Sequence, residues 1–277
     1  MSAVCKLISS RDNPLVKSLI KLGASSRERR RSSTTLLDGV HLIEAYRDAR
    51  MGTADVLAAT ECAMERPEVR RLIESTPARI KAVLAEPLLK HVSQVVSSSG
   101  VLAAVRTPDA GPLPERLDDG IFLEQVQDPG NLGSVLRSAL AAGIARVLLS
   151  PGCVFAWSPK VVRSAMGAHF RLRIHENVDI GELTGRTRGA LIATEPKAAR
   201  TLYESNLVRP VVWVFGNEGA GLSERAASAA QERLRIPMPG PAESLNLAAS
   251  VAVCLFEQVR QRSAAGTATH QKRLTSK

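Results

Sequence analysis

The chain has 277 residues, 44% of them apolar, which is enough for one large or two ordinary hydrophobic cores, and it contains no run of about 18 apolar residues. The start MSAVCKLISS lacks the apolar stretch of a secretory signal, and Cys5, Cys62, Cys153 and Cys254 form no C-x-x-C pair. Membrane, disulfide-framework and zinc-ribbon classes are therefore excluded, and a cytoplasmic protein with reduced, mostly buried cysteines is expected. The formal charge of +10 sits at the ends: residues 1–31 carry eight Lys/Arg against two acids, and residues 260–277 carry five against none. Such blocks mark a polyanionic partner. Aromatics, at 3%, are too few for a base-stacking platform.

In chain order, NPLVKSLIKLGASSRERRR reads as a basic helix, TLLDGVHLIEAYRDA runs into a second helix, and ADVLAA, RIKAVLA and GVLAAV are short buried strands. This predicts a small α/β domain over 1–105. The Pro-, Gly- and Asp-rich stretch RTPDAGPLPERLDDG supplies a linker, taken as 106–118. From 119 to 262 the rhythm is regular. Strand IFLEQV, a helix opening at Asn131, strand RVLLS, a helix over 158–168, strand FRLRIH, then ALIATE, VVWVFG and LRIPM with helix SERAASAAQE between the last two predict a parallel sheet covered on both faces. SLNLAASVAVCLFEQVRQRS reads as a long final helix capped by Ser244. Residues 263–277 read as a flexible basic tail.

Ligands of parallel sheets bind at the carboxyl ends of strands, so the loops there come first. QDPGNLGSVLRSALAAG places Asn131 at a helix start and Arg137 two turns further in. VFGNEGAGLSERA offers three glycines for close backbone approach, one acid, Glu218, and a helix cap at Ser223. It is neither G-x-G-x-x-G after a first strand nor a P-loop. In RIPMPGPAESLNLA, Ile236, Met238 and Leu245 line a turn from which Ser244 and Asn246 project. Each polar group here is either a cap or a site residue. His41, His91, His169, His175 and His270 lack metal-ligand spacing, so no metal is expected.

Together, N-x-G-x-x-x-R, F-G-N-E-G-x-G-L-S and I-P-M-x-G-x-x-E-S-L-N-L-A resemble the three motifs of the SpoU (TrmH-like) RNA 2′-O-ribose methyltransferases of the SPOUT superfamily. Leu247 stands where the family usually has Val. The resemblance extends weakly to ISSRDNPLVKSLIKL, RERRR and LLDGVHLIEA, which look like an N-terminal RNA-binding domain related to ribosomal proteins that bind kinked RNA.

The resemblance implies a parallel sheet with a C-terminal trefoil knot, a homodimer whose sites are completed across the interface, and S-adenosylmethionine as cofactor. By resemblance, the cofactor is held around Thr194, Gly216, Asn217, Ile236, Met238 and Leu245. Asn131, Arg137, Glu218, Ser244 and Asn246 would be the catalytic group. Arg137 is either the family's general base or a cation that clamps a phosphate and steadies the forming alkoxide, and a guanidinium stays protonated. Glu218 either orients Arg137 or binds the ribose. Arg30 and Arg31 would meet RNA, and Arg163 either does so or is an ordinary exposed cation. The implied reaction is 2′-O-methylation of structured RNA, ribosomal RNA by family tendency. The alternatives are transfer RNA as substrate and a silent RNA-binding or ribosome assembly factor.

Overall fold

The structure, a computed structural model, describes residues 7–93 and 98–275, with side chains as far as Gly266. Cys5 and the side chain of His270 lie outside the described residues. The chain forms two compact units: residues 1–109 with 157–170, and residues 110–156 with 171–277. Segment 157–170, which the sequence rhythm assigned to the second half, thus belongs with the first.

In the first unit the elements are β1 (Leu7–Ile8), α1 (Pro14–Ala24), α2 (Ser26–Ser32), β2 (Thr34–Asp38), α3 (Val40–Asp48), β3 (Ala54–Ala59), α4 (Glu61–Glu65), α5 (Pro67–Ser75), β4 (Ala78–Leu84), α6 (Glu86–Val92) and β5 (Val101–Arg106). The single basic helix expected from the sequence is two, because Ser25 ends one and caps the next, its side chain accepting from Glu28 N at 3.2 Å. The sheet order is β1-β4-β3-β5-β2, with β1, β4 and β3 parallel and β5 antiparallel to both its neighbours. Val16, Leu19 and Leu22 of α1, Leu88, Leu89 and Val92 of α6, and Leu36, Val56, Leu84 and Leu102 of the sheet bury one core. Arg29, at 4% exposure, spends its guanidinium on Leu22 O, Gly23 O and Ser26 Oγ, so it fastens α2 to α1 and is withdrawn from the basic surface. Residues 157–170 contribute Trp157 and Phe170, the latter edge-on to Tyr46 at 5.4 Å. Gly167 is required there: its φ is +85°, and a Cβ would lie 2.4 Å from that of Ala45.

The second unit comprises β6 (Gly120–Leu123), α7 (Pro129–Ala141), β7 (Arg146–Leu149), β8 (Arg173–His175), β9 (Ala190–Thr194), β10 (Arg200–Thr201), β11 (Val211–Phe215), α9 (Glu224–Ala229), β12 (Glu232–Arg235) and α10 (Leu247–Thr275), while α8 (Pro159–Ser164) packs on β2 within the first unit. Its seven strands run in the order β10-β12-β9-β11-β6-β7-β8, every pair parallel. β11, VVWVF, is buried at every residue, as a central strand covered on both faces must be. Val212 and Val214 pack with Phe122, Leu148, Leu191 and Ala226 on one side, while the alternate residues Trp213 and Phe215 stack at 6.2 Å on the other.

Helix boundaries depart from the sequence reading in instructive ways. Helix α7 starts at Pro129, not Asn131, because Asp128 Oδ1 accepts Asn131 N at 2.7 Å and the Pro-Gly pair forms the first turn. Helix α10 is capped by Asn246, whose Oδ1 accepts Ala248 N at 2.9 Å and Ala249 N at 3.3 Å; Ser244 lies exposed ahead of the cap. That helix runs on past Ser263 to Thr275, where a tail was expected, through the good helix formers Ala264 and Ala265. Cys254 is buried and its thiol pushed up by that burial, Cys153 is half-buried, and Cys62, against expectation, is exposed.

Candidate active site

At the carboxyl ends of β9, β11 and β12 the second unit holds a cavity of about 470 Å³. The sequence of each strand end builds its walls. Strand β11 runs into Gly216, where a Cβ would lie 2.2 Å from Gly221 C, so only glycine lets the chain fold back on itself. Asn217 holds this hairpin. Its N donates to Gly221 O at 2.9 Å, its Oδ1 accepts from Gly219 N and Ala220 N at 2.9 Å each, and its Nδ2 donates to Gln125 O at 2.7 Å. Strand β12 runs into Ile236 and Met238, and Thr194 ends β9.

Thr194, Gly216, Asn217, Ile236, Met238 and Leu245, the expected cofactor set, all line this one cavity, together with Asn131, Glu218, Ser244 and Asn246. Arg137 does not. It follows Asn131 by six residues, about 240° around the helix and about 9 Å along it, and it is exposed on α7. Nor does Glu218 pair with it. Sequence reading missed Glu195, Pro196, Phe215, Leu222, Leu234 and Ser250 in the lining. The position of Glu195 and Pro196 just past a strand end was the available signal for those two.

The polar groups form a directed line. Glu218 accepts Gln127 N at 3.2 Å, Asp128 N at 3.2 Å and Asn131 Nδ2 at 3.1 Å. Since Asn131 gives its amino group to the carboxylate, its Oδ1 is turned to accept Asn246 Nδ2 at 2.8 Å, and Asn246 in turn uses Oδ1 to cap α10. Both amide orientations are fixed from the two ends, and each amino group keeps one further N–H. Burial raises the Glu218 pKa, but the hydrogen bonds from Asn131 and the backbone outweigh it, so the carboxyl lies below its ordinary range and is ionised at neutral pH. The lining contains two acids, Glu195, which pairs with Arg233 at 3.8 Å, and Glu218, and no Lys or Arg, so in a basic protein this cavity keeps the Glu218 charge free of a cationic partner. No group of three His, Cys, Asp or Glu side chains that could hold a metal occurs among the described residues.

Comparison with known proteins fits this geometry to a family. The model of the SpoU rRNA Methylase family matches residues 120–256. An uncharacterized tRNA/rRNA methyltransferase of Synechocystis is 35% identical over 269 residues, which covers 94% of this chain and 96% of that protein. The chain belongs to the SpoU rRNA methylase family. A second relative, the 23S rRNA (guanosine(2553)-2′-O)-methyltransferase of Bacillus subtilis, is 28% identical over 259 residues, 91% of this chain and 98% of its own. Among solved structures, the SpoU methyltransferase AviRb of Streptomyces viridochromogenes in complex with AdoMet superposes with a TM-score of 0.82 at 26% identity, covering 90% of this chain and 98% of that one.

The RNA-facing candidates of this SpoU chain all fall in the first unit. Arg30 and Arg31 are exposed on α2, where Arg31 pairs with Glu28 at 2.7 Å. Arg163, on α8, lines a small recess with Asp38. Burial raises the Asp38 pKa, and hydrogen bonds from Ser93 and Ser98 and the charge of Arg163 partly offset this.

Proposed function

We propose that the chain transfers a methyl group from S-adenosylmethionine to a ribose 2′-hydroxyl of ribosomal RNA. One observation carries this reading: a cavity of cofactor size, free of cationic side chains, in which the Glu218–Asn131–Asn246 line borders the Gly216–Gly221 hairpin. The residues fit the cofactor on their own chemistry. The hairpin lets main-chain groups approach, Ile236, Met238, Leu245 and Leu222 give apolar cover for a base, and Glu218, met only by neutral donors, complements positive charge. S-adenosylmethionine, when bound, supplies an electrophilic methyl carbon on a cationic sulfonium.

The side chains then divide the remaining work. Glu218, saturated with donors and held below its ordinary pKa, is a poor general base and serves to fix Asn131. Asn131 and Asn246 each aim a spare N–H at an incoming oxygen, and Ser244 and Ser250 add hydroxyls at the same wall. A ribose hydroxyl that gives its proton to solvent water needs a cation to steady the oxygen, and the lining has none. We assign that role to Arg137 of a second copy in a homodimer. Its exposure on α7, together with Phe256, 48% exposed on the neighbouring α10, supports this assignment. The same reading includes a trefoil knot formed by the chain that carries the hairpin and the Ile236–Asn246 loop around one cavity. It also makes the first unit, with Arg30, Arg31 and Arg163, the RNA-binding module.

Labelled methyl transferred to RNA should survive alkaline hydrolysis in dinucleotides, because a blocked 2′-oxygen protects its phosphodiester. Label released in mononucleotides would place the methyl on a base and overturn the ribose reading. Label in transfer RNA alone would replace the substrate class.

A further inference from the structure

The hairpin that shapes the cavity takes its orientation from outside itself. Strand β7 ends at Leu149, and Ser150 follows, 8% exposed, its N–H bonded to Leu123 O at 3.0 Å. The Ser150 hydroxyl donates its one proton to Pro151 O at 2.9 Å, so toward Gln125 it can only accept, and it takes Gln125 N at 2.9 Å. Gln125 has φ +50°, a left-handed conformation that is costly for a residue with a Cβ and persists only where neighbours hold it. In that conformation its carbonyl accepts Asn217 Nδ2 at 2.7 Å, while Asn217 Oδ1 takes the two hairpin N–H groups. Neither Ser150 nor Gln125 lines the cavity.

We propose that Ser150 is a positioning residue for the cofactor hairpin, acting through the left-handed backbone of Gln125 on Asn217. Without the hydroxyl, Gln125 relaxes to negative φ, its carbonyl swings away, and Asn217 loses the partner that keeps its Oδ1 on Gly219 and Ala220. The inference rests on the cavity being the S-adenosylmethionine site. It adds a relay from β7 across the end of β6 to the loop after β11, three consecutive strands of the sheet.

The test is calorimetric titration of S-adenosylmethionine into the wild-type chain, Ser150→Ala, Gln125→Gly and the double variant. Ser150→Ala should weaken cofactor binding about tenfold, with KM for RNA unchanged, as expected for one lost hydrogen bond plus released strain. Glycine takes positive φ without help. In the Gln125→Gly background the same Ser150→Ala change should therefore cost less than about twofold. Gln125→Val, which disfavours positive φ while leaving Ser150 intact, should reproduce the loss and keeps the test alive if Ser150→Ala does not fold. Wild-type affinity in Ser150→Ala, or an equal loss in both backgrounds, overturns the relay alone. Absence of binding by the wild-type chain overturns the cofactor reading and the relay with it.

Discussion

The seven-stranded sheet carries a carboxylate network at each end, and the two are built from the same kinds of parts to opposite effect. At the amino ends of the strands Asp119 accepts Val211 N at 2.9 Å, Gln258 Nε2 at 3.1 Å and both terminal nitrogens of Arg262 at 2.8 Å. Gln258 also accepts Trp213 Nε1 at 2.8 Å, which ties the middle of α10 to the central strand. At the carboxyl ends Glu218 accepts only neutral donors, and Asn246 ties the start of the same helix to Asn131. Both carboxyls lie below their ordinary range, with burial opposing and hydrogen bonds prevailing in each. The difference is the arginine. A network closed by its own cation is finished structure, whereas one whose charge is met by amides alone still has a charge to offer a ligand.

Breaking the upper network should cost function and spare the fold. Asn131→Ala is expected to lower methyl transfer by at least about a hundredfold, on the scale of removing a positioned donor. The melting temperature should stay within a few degrees, since Asn131 is only half-buried; an unfolding transition lost along with the activity would make the line structural. Arg137→Ala should fall by a similar factor while its cofactor affinity by calorimetry stays intact. Mixing it with Asn131→Ala copies should return about a quarter of wild-type transfer, because half of the resulting dimers keep one complete site. No recovery on mixing would remove Arg137 from the partner's site.

Breaking the lower network should do the reverse. Asp119→Asn is expected to lose about 2 kcal/mol of unfolding free energy, read from denaturant titration, the scale of a charged hydrogen-bond cluster, with cofactor affinity unchanged. The pH dependence carries its own sign. Asp119 is depressed in the folded chain, so its contribution is complete above the unfolded carboxyl value of about 3.9 and disappears as pH falls through the lower folded value. The difference in stability between wild type and Asp119→Asn should therefore shrink below about pH 4. A gap that stays constant there would mean that the ion pair is not what the substitution removes. The smallest effect concerns the first unit: each of Arg30→Gln and Arg31→Gln should weaken RNA binding a few-fold and flatten its salt dependence by about one ion.

The networks also mark where sequence was legible. Asn131, Glu218, Asn246 and the hairpin stood out because helix starts and glycine loops after strands have local signatures, and the parallel sheet showed in its fully apolar strands. The caps were misassigned by three residues at α7 and by two at α10, since Asp128 and Asn246 compete for the role with nearby polar residues, Asn131 and Ser244, that look equally suitable. Asp119, Gln258 and Arg262 were missed altogether. Their partners lie more than 130 residues apart along the chain for the Asp119 pairs, and no pattern of spacing announces a long-range ion pair. Ser150 and Gln125 were missed for a related reason: a left-handed backbone at a glutamine is a tertiary decision. The membership of 157–170 in the first unit likewise depends on Trp157 and Phe170 finding a distant core.

The most direct measurement compares wild type and Asn131→Ala in transfer of labelled methyl from S-adenosylmethionine to unmodified ribosomal RNA, followed by nucleoside analysis. The predicted result is label in a 2′-O-methyl nucleoside with the wild-type chain and at least about a hundredfold less with the variant, at equal thermal stability. No label with either, or equal label with both, would contradict the assignment of chemistry to the carboxyl ends of the strands.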